Sequence, residues 1–154
     1  MNKYLQITLL GLAITLPIVT GQSIRAEEAF QPVELDSFIT ENRAHAQQVG
    51  KKVIFQSRPI AFEARLKRHP EEKEMSYIYT ALSVSGVEPM PEVGHRMFIE
   101  SDAGKIIPVY VEKRAVEIIN NGLKENDRTL FEGYHVYNYA KGPAVLVVDF
   151  KRVD

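Results

Sequence analysis

Apolar residues recur along this chain with two periods, and the changes of period mark its elements. Ile60, Phe62, Ala64 and Leu66 alternate with Ala61, Glu63, Arg65 and Lys67. That two-residue repeat predicts the half-buried second part of a long, bent strand over residues 51–67, which begins with Val53 and Phe55. Pro59 interrupts it; proline cannot donate to a ladder, so an edge or a bulge is expected there. The polar run HPEEKE, residues 69–74, predicts a turn, and Tyr77–Val84 (YIYTALSV) predicts a second strand. VEPMPEVG, residues 87–94, reads as a loop from its two prolines and terminal glycine. Strands are expected next over 97–101 and 106–111, on either side of a SDAGK turn, with Ile107, Val109 and Val111 on one face. Two more follow, over 128–139 and 144–153, joined by a turn at 140–143.

Two stretches carry helical spacing instead. Asp36 reads as an N-cap, with Phe38, Ile39, Ala46 and Val49 supplying a thin apolar stripe and Gly50 ending the helix. Over 112–120, Ala115, Val116 and Ile119 share a face; Asn121-Gly122 is expected to cap that helix in the left-handed region, with Leu123 making the contact that follows such a cap. The predicted order is helix, long bent strand, three strands, helix, two strands. A small sheet of this length leaves exposed edges unless it closes. The expectation is therefore a mainly β protein: an OB-like, closed or partly open barrel of five to six strands. A helix caps it between the third and fourth barrel strands, another helix precedes it, and Tyr77–Val84 adds a hairpin strand.

The 154 residues suit one domain, but the first 26 do not read as part of it. Asn2 and Lys3 precede an almost wholly apolar run over 5–19, and small residues follow at Thr20, Gly21 and Ala26. This is the layout of a secretory signal peptide, cleaved after Ala26 or after Gly21. The run is short for a membrane span, and Pro17 weakens a span further, a retained anchor being the alternative. Residues 27–35, acidic and containing Pro32, read as a flexible leader, and 36–154 as the OB-like domain. The chain has no cysteine, so neither disulfides nor a lipid-modified cysteine enter. Of the nineteen basic residues, two precede residue 27; the remaining seventeen face twenty acidic ones, a net charge of −3. That balance argues against nucleic acid as the partner.

VIFQSRPI, ESDAGKIIPVYV, NDRTLFEGYHV and AVLVVDFKRV, together with the signal peptide, resemble the small periplasmic bacterial OB-fold family. The resemblance covers about half of the chain beyond the leader and implies a small envelope or stress-related binding module. The segment over about 69–94 departs from that family as an insertion.

Candidate chemistry centres on GYHVYNYAKG, residues 133–142, which sets one histidine and three tyrosines within six residues. Strict alternation puts Phe131, Gly133, His135, Tyr137 and Tyr139 on one face. A bulge at Gly133 would swap the faces after it and take Val136 inside. Two readings stay open: core aromatics with a polar tip near water, or a shallow aromatic platform for a planar ligand, as OB folds use. Arg58, Arg65 and Lys67 form a basic strip, with Arg68 and His69 beside it. It suits an anionic partner such as a phosphate, a lipid head group or an acidic glycan, although Glu71, Glu72 and Glu74 would also neutralise it locally. The candidate binding residues are thus His135, Tyr137, Tyr139, Arg58, Arg65 and Lys67. The four histidines, at 45, 69, 95 and 135, show no metal-ligand spacing; a set of His95 and His135 with Glu100 or Asp102 is not demanded by it. No nucleophile or phosphate-loop motif appears, so neither a catalytic residue nor a cofactor is assigned. The favoured function is an exported, non-catalytic binding module of the cell envelope for a small anionic or planar ligand. The alternatives are an assembly subunit docking an envelope protein through 69–94, and a small hydrolase or nuclease on an OB barrel.

Overall fold

The computed structural model describes residues 29–153. Its elements run in the order β1 (Gln31–Pro32), α1 (Leu35–Val49), β2 (Val53–Glu72), α2 (Tyr77–Val84), β3 (Val93–Glu100), β4 (Ile106–Glu112), α3 (Lys113–Gly122), β5 (Arg128–Tyr139) and β6 (Gly142–Arg152). The protein is mainly β. One six-stranded mixed sheet has the order β1-β2-β3-β4-β6-β5, and a further β2–β5 pairing joins five of the strands into a ring. All ring neighbours are antiparallel except β4 and β6, which run parallel through Tyr110↔Leu146 and Val111↔Val147.

The ring closes because β2 is long enough to serve two partners. It pairs with β5 from Val53 to Arg65 and with β3 from Arg65 to Glu72. Register shifts fall between Ile54 and Arg58 and again beyond Leu66. Extra residues on one strand bend it and increase its twist, as closure requires. The first shift lies immediately before Pro59, where the sequence led us to expect a bulge. The second carries the strand through HPEEKE: Glu71 and Glu72 pair with Arg96 and His95, so the expected turn begins only after Glu72.

Alternation fills the ring. Phe62, Ala64 and Leu66 of β2, Met97 and Ile99 of β3, Ile107, Val109 and Val111 of β4, Phe131 of β5, and Val145 and Val147 of β6 form one buried cluster. α1 adds Leu35, Phe38 and Ile39 to it, and α3 adds Ala115 and Ile119, with Leu123 just beyond; Val116 is half-buried against it. α3 follows the third ring strand and precedes the fourth. Asp36 fastens α1 to the β3–β4 turn: it accepts from Ser101 Oγ at 2.6 Å and the Ala103 amide at 2.9 Å. The Ser101 hydrogen bond, with help from Ala103 and Lys105, holds the Asp36 carboxyl below the usual carboxylate range.

Several expectations need correction. Tyr77–Val84 is a helix, not a strand. YIYTALSV satisfies both periods, and burial selects the helical one: Ile78, Ala81 and Leu82, at i, i+3 and i+4, cover the outer face of the sheet at Val136, Ala144 and Leu146 in a second buried cluster. The N-cap of α1 is Glu34, whose carboxylate accepts from the Asp36 and Ser37 amides. Gly50 ends α1 at φ +67°, as expected. Gly122, in contrast, is not left-handed; it lies in the last turn of α3, where a Cβ would come within 2.8 Å of Phe150 Cζ. Its role is close packing rather than capping. The expected free leader is tied down from Gln31 onward, since β1 pairs in parallel with Ile60 and Ala61. The proposed signal peptide lies outside the described residues.

Candidate functional site

β5 and β2 set the geometry of GYHVYNYAKG. At Gly133 a side chain is excluded: a Cβ would sit 2.3 Å from the carbonyl oxygen of Leu146. The faces do not swap at Gly133. The extra residue on β5 is Val136, between His135↔Val145 and Tyr137↔Ala144. β2 answers with three residues, 55–57, opposite the single residue Val136 of β5. The result separates His135 from Tyr137. Val136 goes under α2 rather than into the ring, and Tyr137 goes with it.

His135 is fully buried (0 % exposed) between the rings of Phe38 and Phe55, whose centroids lie 4.7 and 4.5 Å away, both edge-on. A guanidinium can only donate, so the 3.3 Å contact from Arg58 to Nδ1 makes that nitrogen the acceptor. Nε2 then carries the proton and donates to Asn138 Oδ1 at 2.8 Å. Asn138 Nδ2 donates in turn to Asn42 Oδ1, and Asn42 Nδ2 to the carbonyl of Phe38. Burial lowers the His135 pKa to about 4; the Asn138 hydrogen bond opposes this and the Arg58 charge reinforces it. The imidazole is therefore neutral at pH 7, with both nitrogens engaged. Beside it, a cleft of about 640 Å³ opens between α1, β1 and β2, with Phe38, Asn42, His45 and Arg58 on its walls.

Tyr137 sits in a different neighbourhood. Its ring meets Tyr77 edge-on at 5.0 Å and lies 5.9 Å from Tyr139 and 6.3 Å from Tyr110. The Tyr137 and Tyr110 hydroxyls are hydrogen-bonded to each other. Burial pushes the Tyr137 phenol well above its ordinary range, with Tyr110 contributing, and burial raises Tyr139 in the same direction. Both hydroxyls remain protonated donors at neutral pH. Tyr110, Tyr137 and Tyr139 line a pocket of about 320 Å³. Four cations from four segments share its wall: Lys52, Lys73, Arg96 and Lys141. No carboxylate does, among the described residues. Lys52 Nζ lies 3.8 Å above the Tyr77 ring. Arg96 is held by Glu71 at 2.8 Å.

The structure thus divides the six expected binding residues into three groups. Tyr137 and Tyr139 line the tyrosine pocket. His135 and Arg58 touch each other beside the α1 cleft. Arg65 and Lys67 belong to neither: Arg65 donates to the Asn126 carbonyl, and Lys67 pairs with Glu100 at 3.1 Å. The basic strip fails as a unit because Arg58 and Arg65 stand seven residues apart on β2, about 23 Å of strand. Sequence reasoning missed Tyr110, Lys52, Lys73 and Arg96. Tyr110 was visible as the outward partner of Val109 and Val111. The three cations come from segments that only the folded chain brings together. Comparison with protein-family models gives no match, and comparison with curated proteins gives none either.

Proposed function

We propose that this chain is an exported OB-like binding module of the cell envelope that holds a small anionic, planar ligand without transforming it. The OB reading is supported by the ring order β2-β3-β4-β6-β5, by its one parallel contact between β4 and β6, and by α3 between the third and fourth ring strands. Export is supported by the apolar run over 5–19 and the small residues after it. The observation that carries the binding reading is the tyrosine pocket. Three phenols and four cations line one concavity, with no carboxylate on its wall among the described residues. Its volume of about 320 Å³ falls at the lower end for small-molecule sites. A binding role is favoured over a hydrolytic one because His135, the histidine of the aromatic strand, is neutral, buried and engaged at both nitrogens.

The test is a titration of the purified protein with planar anions and their neutral analogues, followed by NMR. Shifts should concentrate at Tyr110, Tyr137 and Tyr139 and favour the anions. Tyr139→Phe should weaken binding by about three- to tenfold through one lost hydrogen bond, with the melting temperature nearly unchanged. Equal response to neutral analogues, or shifts centred elsewhere, would overturn the reading.

A further inference from the structure

The four cations of the tyrosine pocket are not equivalent, and the difference points to a ligand class. Arg96 is already committed to Glu71, through Nε and a second nitrogen, both at 2.8 Å. The Nε edge of its fork is therefore occupied, and its charge has a carboxylate partner. Lys52, Lys73 and Lys141 form no ion pair among the described residues, and all three side chains are exposed. The pocket is thus lined by three lysines without a carboxylate partner and by phenol donors, with the Lys52 ammonium resting on the Tyr77 ring. In the Tyr110–Tyr137 pair one hydroxyl donates to the other, which leaves the acceptor's own proton free to point at a ligand. Each of these donors is an N–H or O–H.

Two features of this set discriminate among anions. A single carboxylate is matched best by the planar fork of an arginine, and the one arginine here is engaged elsewhere. Lysine ammoniums are point charges that converge on an anion from different directions, a pattern suited to a tetrahedral group with three acceptor oxygens. Three unanswered positive charges also exceed what a monoanion neutralises. The rest of the wall, from Met75, Pro108 and Ala144 together with the tyrosine rings, is apolar and suits a flat body.

We infer that the pocket formed by Tyr110, Tyr137 and Tyr139 with Lys52, Lys73 and Lys141 recognises a small phosphate monoester in its dianionic form, attached to a planar apolar group. This rests on the binding reading above and narrows it from anions in general to one chemical class.

Phenyl phosphate, benzenesulfonate, benzoate and inorganic phosphate are the probes, titrated into the full protein by calorimetry. Phenyl phosphate should bind at least about tenfold tighter than benzoate or benzenesulfonate at pH 7.5. Its affinity should rise several-fold from pH 5 to pH 7.5, because the second phosphate proton leaves near pH 6, while benzenesulfonate binding stays flat. Lys73→Gln and Lys141→Gln should each weaken phenyl phosphate by about five- to tenfold, the scale of one unit charge at contact distance. Both side chains are exposed, so folding is spared. Inorganic phosphate should bind more weakly than the phenyl ester. Sedimentation with phosphatidylcholine vesicles containing phosphatidate would identify a lipid-borne ester, and its absence a soluble one. Benzoate or benzenesulfonate binding as tightly as phenyl phosphate, with both still sensitive to the lysine variants, would overturn the phosphate assignment and leave the anion site standing. Binding of any probe that ignores Lys73, Lys141 and Tyr139 would overturn the site itself, as would no binding of the whole panel.

Discussion

Replacing His135 by glutamine should flatten part of the protein's acid sensitivity. In the folded chain the His135 pKa falls to about 4, chiefly because burial between Phe38 and Phe55 penalises the charged ring. In the unfolded chain it returns to about 6.5. Between those values the unfolded state binds more protons, so stability rises with pH across that window. The contribution is fully present above pH 6.5 and is lost as pH falls through 4. A difference of about 2.5 units corresponds to about 3 kcal/mol, approached at about 1.4 kcal/mol per pH unit in the middle of the range. Glutamine cannot titrate, yet its amide can accept from Arg58 and donate to Asn138. Urea unfolding of both proteins from pH 8 to pH 4 isolates the effect, since carboxylates such as Asp36 are common to both. The wild-type stability should fall more steeply below pH 6.5, and the difference between the two proteins should change by about 3 kcal/mol toward pH 4. Parallel curves would refute the buried, neutral assignment of His135.

Ile119→Ala should destabilise by about 2–5 kcal/mol in urea unfolding, because the side chain is fully enclosed in the ring cluster; a loss below about half a kilocalorie would show that α3 is not part of the core. Gly133→Ala should cost at least about 1–3 kcal/mol by the same measurement, since its Cβ would meet backbone at Leu146 and no side chain can give way. Export predicts a mature chain that starts at Glu27 or Gln22; N-terminal sequencing of the envelope fraction that still begins at Met1 or Asn2 would contradict it.

Much of the strand pattern was legible because one face of each ring strand is buried and the other is not. Ile107, Val109 and Val111 illustrate this, as do Phe62, Ala64 and Leu66. Residues 128–139 form a strand over the expected span. The misreadings occur where local signals tie or compete. YIYTALSV fits both periods, and only the sheet face beneath it decides for the helix. HPEEKE looks like a turn, yet Glu71 has Arg96 opposite it and the strand continues. Asp36 carries the profile of an N-cap, but its carboxylate is occupied by Ser101 and Ala103, and Glu34 takes that place. The face change at Val136 depends on the β2 bulge opposite it, a partner some eighty residues earlier in the chain. For the same reason the candidate site was only half visible: two of its three tyrosines sit on β5, while Tyr110 sits on β4 and none of the four cations lies on β5.

The parallel seam between β4 and β6 has a dynamic consequence. The ring is completed there by only two residue pairs, Tyr110↔Leu146 and Val111↔Val147, whereas β5 and β6 pair along most of their length. Few shared hydrogen bonds mean a low local cost of opening. The seam should therefore be the first part of the ring to admit solvent, and its amides the first of the ring to exchange. Tyr110 stands on one lip of that seam, and Ala144 lies two residues from Leu146 on the other. An occupant touching both would act as a clasp, and its presence would register first as slowed amide exchange along this seam.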